Sequence, residues 1–180
     1  MCWNISNQSR RQFDPSSPTT TGHADEVESV VAVTKGFLSA LATKSRDDFD
    51  KYCVRAGGMA LWPPPPMAPR FCTIGAFVEH IFKIEDDINE RIWDPEVKVD
   101  EMANLAAVWA PFRAKINGVV DHVGVELFIL HKINGEWKVT GLADSCRQPT
   151  EDERNRAGRH LNDRFDALGD PPRDTKRYEE

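Results

Sequence analysis

Three ionisable side chains fall where they could move protons: His122, Glu126 and Asp144. His122 and Glu126 are four apart in a β-rich run, so on an extended strand they share a face about 13 Å apart. They bracket Gly124, which leaves an unobstructed patch between two titratable groups. If that face lines a pocket, desolvation raises the Glu126 pKa and keeps His122 mostly neutral, which suits both to acid–base work near neutral pH. If it points outward, both are solvated or pair with neighbours. Asp144 follows Gly141-Leu142-Ala143 near the end of the last strand. There it meets His122 across the ladder and orients the imidazole, as base–orienter pairs require, or it forms a salt bridge with Arg147 or Arg113.

Trp62, Trp109, Phe112 and Phe128 are the aromatic candidates for lining a pocket, against the alternative that they are core. Trp62 abuts the run Pro63 to Pro66, a rigid lip for a pocket mouth. Arg70 on the same loop either meets an anionic substrate group or is simply solvated, and Tyr52 is a candidate phenolic donor. Other chemistries lack their motifs. Gly57-Gly58 is too short for a phosphate loop, no Gly-x-Ser-x-Gly elbow occurs, and the five histidines are not at metal-ligand spacings. Neither a metal nor a cofactor is expected.

Val27, Val30, Val31, Phe37, Leu38 and Leu41 recur at helical spacing from Asp25 onward. Ser45 caps a short second helix burying Phe49, and Thr73 caps a third with Ile74, Phe77, Val78, Ile81 and Phe82 along one face. Between them, Ala56 to Trp62 reads as a short strand after a glycine turn, ended by the prolines. Glu90 to Asp100 is a strand interrupted at Pro95. Asn104 to Ile116, Val119 to Ile133 and Trp137 to Cys146 follow, joined by Asn117-Gly118 and Asn134-Gly135. Asn-Gly between β-rich runs marks type I′ hairpins, because both turn positions need positive φ. The result is a three-stranded meander with Pro111 demanding a bulge or bend in its first strand. Alternation puts Val120, His122, Gly124, Glu126, Phe128 and Leu130 on one face of the middle strand. Both faces are largely apolar, so both should be covered: one by helices, the other by a homodimer partner or by a C-terminal helix.

With 180 residues and 40% hydrophobic content, the chain suits one domain. Residues 1–24 and 169–180 read as disordered tails, residues 25–147 as the domain, and residues 148–168 as a charged helix opened by Thr150-Glu151-Asp152-Glu153. A net charge of −6 argues against nucleic acid. No run is long and apolar enough for a membrane span, and no basic-then-apolar leader opens the sequence. Four widely spaced cysteines require no disulfides, so a cytoplasmic location with reduced thiols is expected.

Helix–helix–strand–helix followed by a long curled meander resembles the nuclear-transport-factor-2-like (NTF2-like) superfamily, and within it the SnoaL-like, polyketide-cyclase-like branch. The residues carrying the resemblance are Val108-Trp109-Ala110-Pro111-Phe112, Asn117-Gly118, His122 to Phe128 and Gly135-Glu136-Trp137-Lys138-Val139, within about Asp25 to Arg147. The resemblance implies an α+β fold: a cone-shaped, curved antiparallel sheet on three helices, with a deep pocket and frequent dimerisation through the convex face. It does not imply one reaction, since such folds host isomerases, dehydratases, cyclases and silent binders. The expectation is a cofactor-independent isomerase, cyclase or dehydratase of secondary metabolism acting on a small apolar organic substrate. The alternative is a non-catalytic binder or dimeric scaffold.

Overall fold

The computed structural model describes residues 20–159; the expected tail at 169–180, most of that at 1–24 and the far end of the charged helix lie outside them. Helix α1 (Thr20–Thr43) opens ahead of the Asp25 boundary. Val30, Thr34, Phe37, Leu38 and Leu41 form its buried stripe. Thr34 is tolerated there because its hydroxyl donates back to the Val30 carbonyl at 3.0 Å. Helix α2 (Arg46–Tyr52) starts at the expected cap, Ser45 accepting from Asp48 N–H, and buries Phe49.

Strand β1 (Cys53–Leu61) begins earlier than expected and runs straight through Gly57-Gly58. Those glycines are not a turn. At Gly57 a Cβ would lie 2.4 Å from the Thr140 carbonyl oxygen, so the residue is small because another backbone approaches it. β2 (Arg70–Thr73) pairs back onto β1 and leads into α3 (Ile74–Ile81), where Thr73 Oγ1 accepts from Ala76 N–H at 3.1 Å. Thr73→Ala is expected to cost about 1 kcal/mol, with Thr73→Ser near neutral; urea unfolding midpoints measure both.

β3 (Ile88–Ile92) and β4 (Glu96–Val99) are two pieces of one edge, both paired with β5 (Leu105–Ile116). The break between them explains Pro111. In a strand a residue's N–H and C=O point the same way, and Pro111 directs its carbonyl to Trp93 N–H at 3.2 Å, in the gap. Its missing donor therefore faces no ladder partner. The register runs unbroken through Pro111, so of the bulge or bend expected there no bulge forms. β5 pairs with β6 (Val119–Ile133), and their register slips between Ala114 and Lys115, leaving Asp121 unpaired. β7 (Glu136–Arg147) completes the meander, and both Asn-Gly turns have positive φ at both residues.

Among the described residues the sheet has seven strands in the order β2-β1-β7-β6-β5-β3, with β4 also on β5. It is curved and unclosed. It is not wholly antiparallel: β1 runs parallel to β7. α1 lies against β3, β4, β5 and β7, and α3 against β1. Together they cover the concave face, where Val108, Ala110, Phe112, Phe128 and Leu130 are buried. Past β7, Thr150 and Glu153 form the expected capping box of α4 (Glu151–Arg159), which packs against β6. On the convex side Val120 and Val123 are buried outside the main core.

Candidate active site

The concave face is the inner face, and Glu126 stands on it. Its cross-strand neighbours are Ala110 on β5 and Asp144 on β7. Glu126 is only 3% exposed, and its Oε2 has no hydrogen-bonding partner. A buried carboxyl is ordinarily paired or fully hydrogen-bonded. Here burial comes first and the neighbouring carboxyls of Glu90 and Asp144 second, and all push the Glu126 pKa well above its ordinary 4.5. These effects favour the protonated form of Glu126, which is hydrogen-bonded to Glu90.

Glu90 is the candidate residue that the sequence alone did not single out. It lies on β3 opposite Ala114, which lies opposite His122 on β6, so Glu90 shares the concave face. On a flat sheet the backbones of Glu90 and Glu126 would stand about 16 Å apart, two strands across and four residues along. Their carboxyls meet because the sheet curls. Burial raises the Glu90 pKa, while the Glu126 hydrogen bond and the nearby His122 work against that rise. The signal was available: Ile88, Glu90 and Ile92 alternate onto one face, with both isoleucines buried.

Asp144 is half-buried, and its pKa is raised by burial. It does not orient His122, and neither salt bridge offered for it forms. Asp144 Oδ1 accepts from the Trp62 backbone N–H, while Arg147 holds Glu153 through both carboxylate oxygens at 2.9 and 2.8 Å. Arg113 lies on the other face, opposite Val123 and Arg91. His122 is held instead by its own neighbour: its Nδ1 lies 2.8 Å from Asp121 Oδ2. Adjacent strand residues normally point apart, and the bulge at Asp121 turns that carboxylate back to the imidazole. The ring also packs edge-on to Phe112, centroids 5.6 Å apart.

Gly124 does not leave an open patch. A Cβ there would lie 2.1 Å from the Ser145 carbonyl oxygen and 3.0 Å from the Phe112 ring, so the space is filled by close packing. Phe112 and Phe128 are buried on the concave side as expected. Trp109 is not; it is 52% exposed on the convex face and leaves the candidate site. Tyr52 packs over Gly36 of α1, its ring where a Cβ on that glycine would sit. The Trp62 backbone ties the proline loop to the site, its carbonyl accepting from Cys146 N–H at 3.0 Å, while its indole is exposed. Arg70 lowers the Asp144 pKa through its charge. It also lines a separate groove of about 340 Å³ with Leu61, Phe71, Cys72, Phe77 and His80. Beside Asp144, the Cys146 thiol is pushed far up by burial and by the surrounding carboxyls, which leaves it a poor nucleophile.

No group of three or more His, Cys, Asp or Glu side chains among the described residues is arranged to hold a metal ion. No described helix is long and apolar enough to cross a membrane.

No family model matches the sequence, and no curated protein matches it. Solved structures do match its shape. A candidate aromatic ring hydroxylase from Novosphingobium aromaticivorans superposes with a TM-score of 0.57 at 17% identity, covering 73% of this chain and 97% of that one. A candidate dehydratase of the NTF2-like family from Streptomyces avermitilis gives 0.53 at 16% identity, covering 69% and 97%. An NTF2-like protein from Cytophaga hutchinsonii gives 0.54 at 12% identity, covering 68% and 97%. These likenesses show that the fold of this chain is that of the NTF2-like proteins.

Proposed function

We propose that the protein is a cofactor-independent enzyme of the SnoaL-like kind, an isomerase, cyclase or dehydratase of secondary metabolism that moves protons on a small, largely apolar organic substrate. The observation that carries this reading is the Glu126 carboxyl, buried on an apolar face with one oxygen unpartnered and the Asp144 carboxyl beside it on its row. Such an arrangement costs folding stability, and perturbed carboxyls of this kind concentrate at sites of proton transfer. Glu126 holds the proton and serves as the acid. When that proton leaves, the charge is left on Glu126, and Glu90, pushed toward its own protonated form by burial, turns its hydrogen to the new carboxylate. Asp144, half-buried and tied to the Trp62 backbone N–H where the proline loop begins, gives the proton a way back. The full reading keeps a cytoplasmic location and a homodimer through the convex face, where Leu105, Trp109 and Ile129 are exposed.

A second reading, a non-catalytic binder or scaffold, is favoured by one observation: Phe112 fills the space over Gly124. Hydrogen–deuterium exchange separates the two. Small cyclic ketones and enones are incubated with the protein in D2O and followed by proton NMR. The wild type should exchange the protons next to the carbonyl, and Glu126→Gln should slow this by about 10²–10⁴-fold. Equal rates in both proteins would remove Glu126 from the chemistry. Ketone binding without exchange in the wild type would favour the non-catalytic reading.

A further inference from the structure

Arg70 and His80 are brought to one groove by a strand that passes straight into a helix. β2 covers about 10 Å from Arg70 to Thr73, and α3 needs about the same length to carry the chain from the Thr73 cap to His80. The helix lies back over β1 and β2, and both residues line the same groove of about 340 Å³. Leu61, which faces Arg70 across the β1–β2 ladder, and Cys72 give it an apolar floor. Ala76 and Phe77 of α3 form the opposite wall.

The polar part of this lining is made of donors. No carboxylate is among the lining residues, in a chain whose net charge is −6. Glu79, next to His80 in sequence, is held by Arg46 at 2.8 Å and Arg55 at 3.5 Å. Asp144 acts on Arg70 through charge alone, while its Oδ1 accepts from the Trp62 N–H. No hydrogen bond or ion pair among the described residues occupies the Arg70 guanidinium or the His80 ring. Whatever its tautomer, that imidazole carries at least one N–H.

We propose that the groove between β2 and α3 binds a small aromatic carboxylate, its carboxylate paired with Arg70 and reached by the His80 N–H, its ring laid over Leu61 and Cys72 against Phe77. This goes beyond the acid–base reading above and does not depend on it. A guanidinium offers two parallel N–H groups that match the two oxygens of a carboxylate, and a ring beside Phe77 gains aromatic contact as well as burial. The volume lies at the lower end of the roughly 300–1,000 Å³ typical of ligand pockets, which suits one or two rings. An amine would meet the like charge of Arg70. A neutral ring would leave the guanidinium unpaired, and inorganic phosphate would leave the apolar floor wet.

The test titrates the full chain at neutral pH with three probes of one shape, naphthoate, naphthylmethanol and naphthylmethylamine, and with inorganic phosphate, followed by amide NMR shifts. Naphthoate should saturate with a Kd of about 1 mM or tighter, as ordinary ligand efficiency gives for its size, with the largest shifts on β2 and α3. The alcohol, the amine and phosphate should each bind at least about tenfold more weakly, and Arg70→Gln should weaken naphthoate at least about tenfold, as loss of a charge partner does. Ala76→Phe fills the groove from an exposed helix position and should abolish binding with every charge in place. Glu126→Gln should bind naphthoate like the wild type. The inference is overturned if naphthoate does not saturate, if another probe binds as tightly, if Arg70→Gln or Ala76→Phe binds like the wild type, or if Glu126→Gln loses binding. Ketone exchange without naphthoate binding would leave the acid–base reading standing and remove this one. Naphthoate binding at Arg70 without any exchange would do the reverse.

Discussion

Phe128→Ala is expected to lower the unfolding free energy by about 3–5 kcal/mol. Phe128 is fully buried on β6 between Val108 and Leu142 in the ladder. Its ring meets the Phe37 ring of α1 edge-on at 6.0 Å, and Phe37 meets Phe49 of α2 at 5.3 Å. The three rings form a continuous aromatic chain from the sheet to both N-terminal helices. Truncating Phe128 removes its own transfer energy, opens a cavity among side chains that cannot all close on it, and forfeits an edge-to-face contact. Domains of this size hold only about 5–15 kcal/mol in total, so the variant should be close to unfolding at elevated temperature. Phe71→Ala is the control. Phe71 is the same residue type but 75% exposed on β2, so its loss should stay within about 0.5 kcal/mol. Urea unfolding with an unchanged slope measures both. Equal losses in the two variants would show that the aromatic chain is not what joins sheet to helices.

The hairpins were legible because their signal is local. Asn117-Gly118 and Asn134-Gly135 need only two positive φ angles each, and the helix caps at Ser45 and Thr73 need only one side-chain acceptor. Alternation also held from His122 to Leu130, so the sequence grouping of His122, Glu126 and Phe128 was sound. It failed at Val120. The unpaired Asp121 shifts the register, Val120 pairs with Lys115, and that valine changes face. Nothing in the residue types marks such a bulge, which exists because two strands of a curling sheet have unequal lengths to cover. Which face is inside was equally hidden, because Trp109 and Phe112 are alike in composition and opposite in position. Glu90 was missed for a different reason. Pro95 marks an interrupted edge strand, whereas the Ile88–Glu90–Ile92 alternation five residues earlier is what puts Glu90 on the buried face. Its meeting with Glu126 depends on curvature, which no spacing along one strand encodes.

Stability should fall as the pH rises from about pH 5 to about pH 8, and Glu126→Gln should flatten that fall. In the unfolded chain Glu126 has its ordinary value of 4.5, while in the folded protein burial and the carboxyls of Glu90 and Asp144 hold it well above that. Between those two values the folded state binds more protons than the unfolded one, so unfolding becomes easier with each rise in pH. The contribution of this group is fully present below its unfolded pKa and is lost as the pH climbs through its folded one. Glu90 and Asp144, both also raised, work in the same direction. The surface carboxylates run the other way. Glu153, pulled down to about 2 chiefly by Arg147, stabilises the fold above its unfolded pKa and is lost only in strong acid. Glu26, lowered by Lys132 and Trp137, behaves alike. The acid limb of the stability curve therefore belongs to the surface pairs and the neutral-to-alkaline limb to the buried cluster. A glutamine at 126 reproduces the protonated carboxyl, its amide donating to Glu90, and cannot ionise. Its melting temperature should match the wild type near pH 5 and exceed it at about pH 8, with the acid limb unchanged. Thermal unfolding of both proteins across that range is the measurement. Parallel curves would mean that Glu126 ionises in the folded protein without penalty, and the proton assigned to it would have to be placed elsewhere.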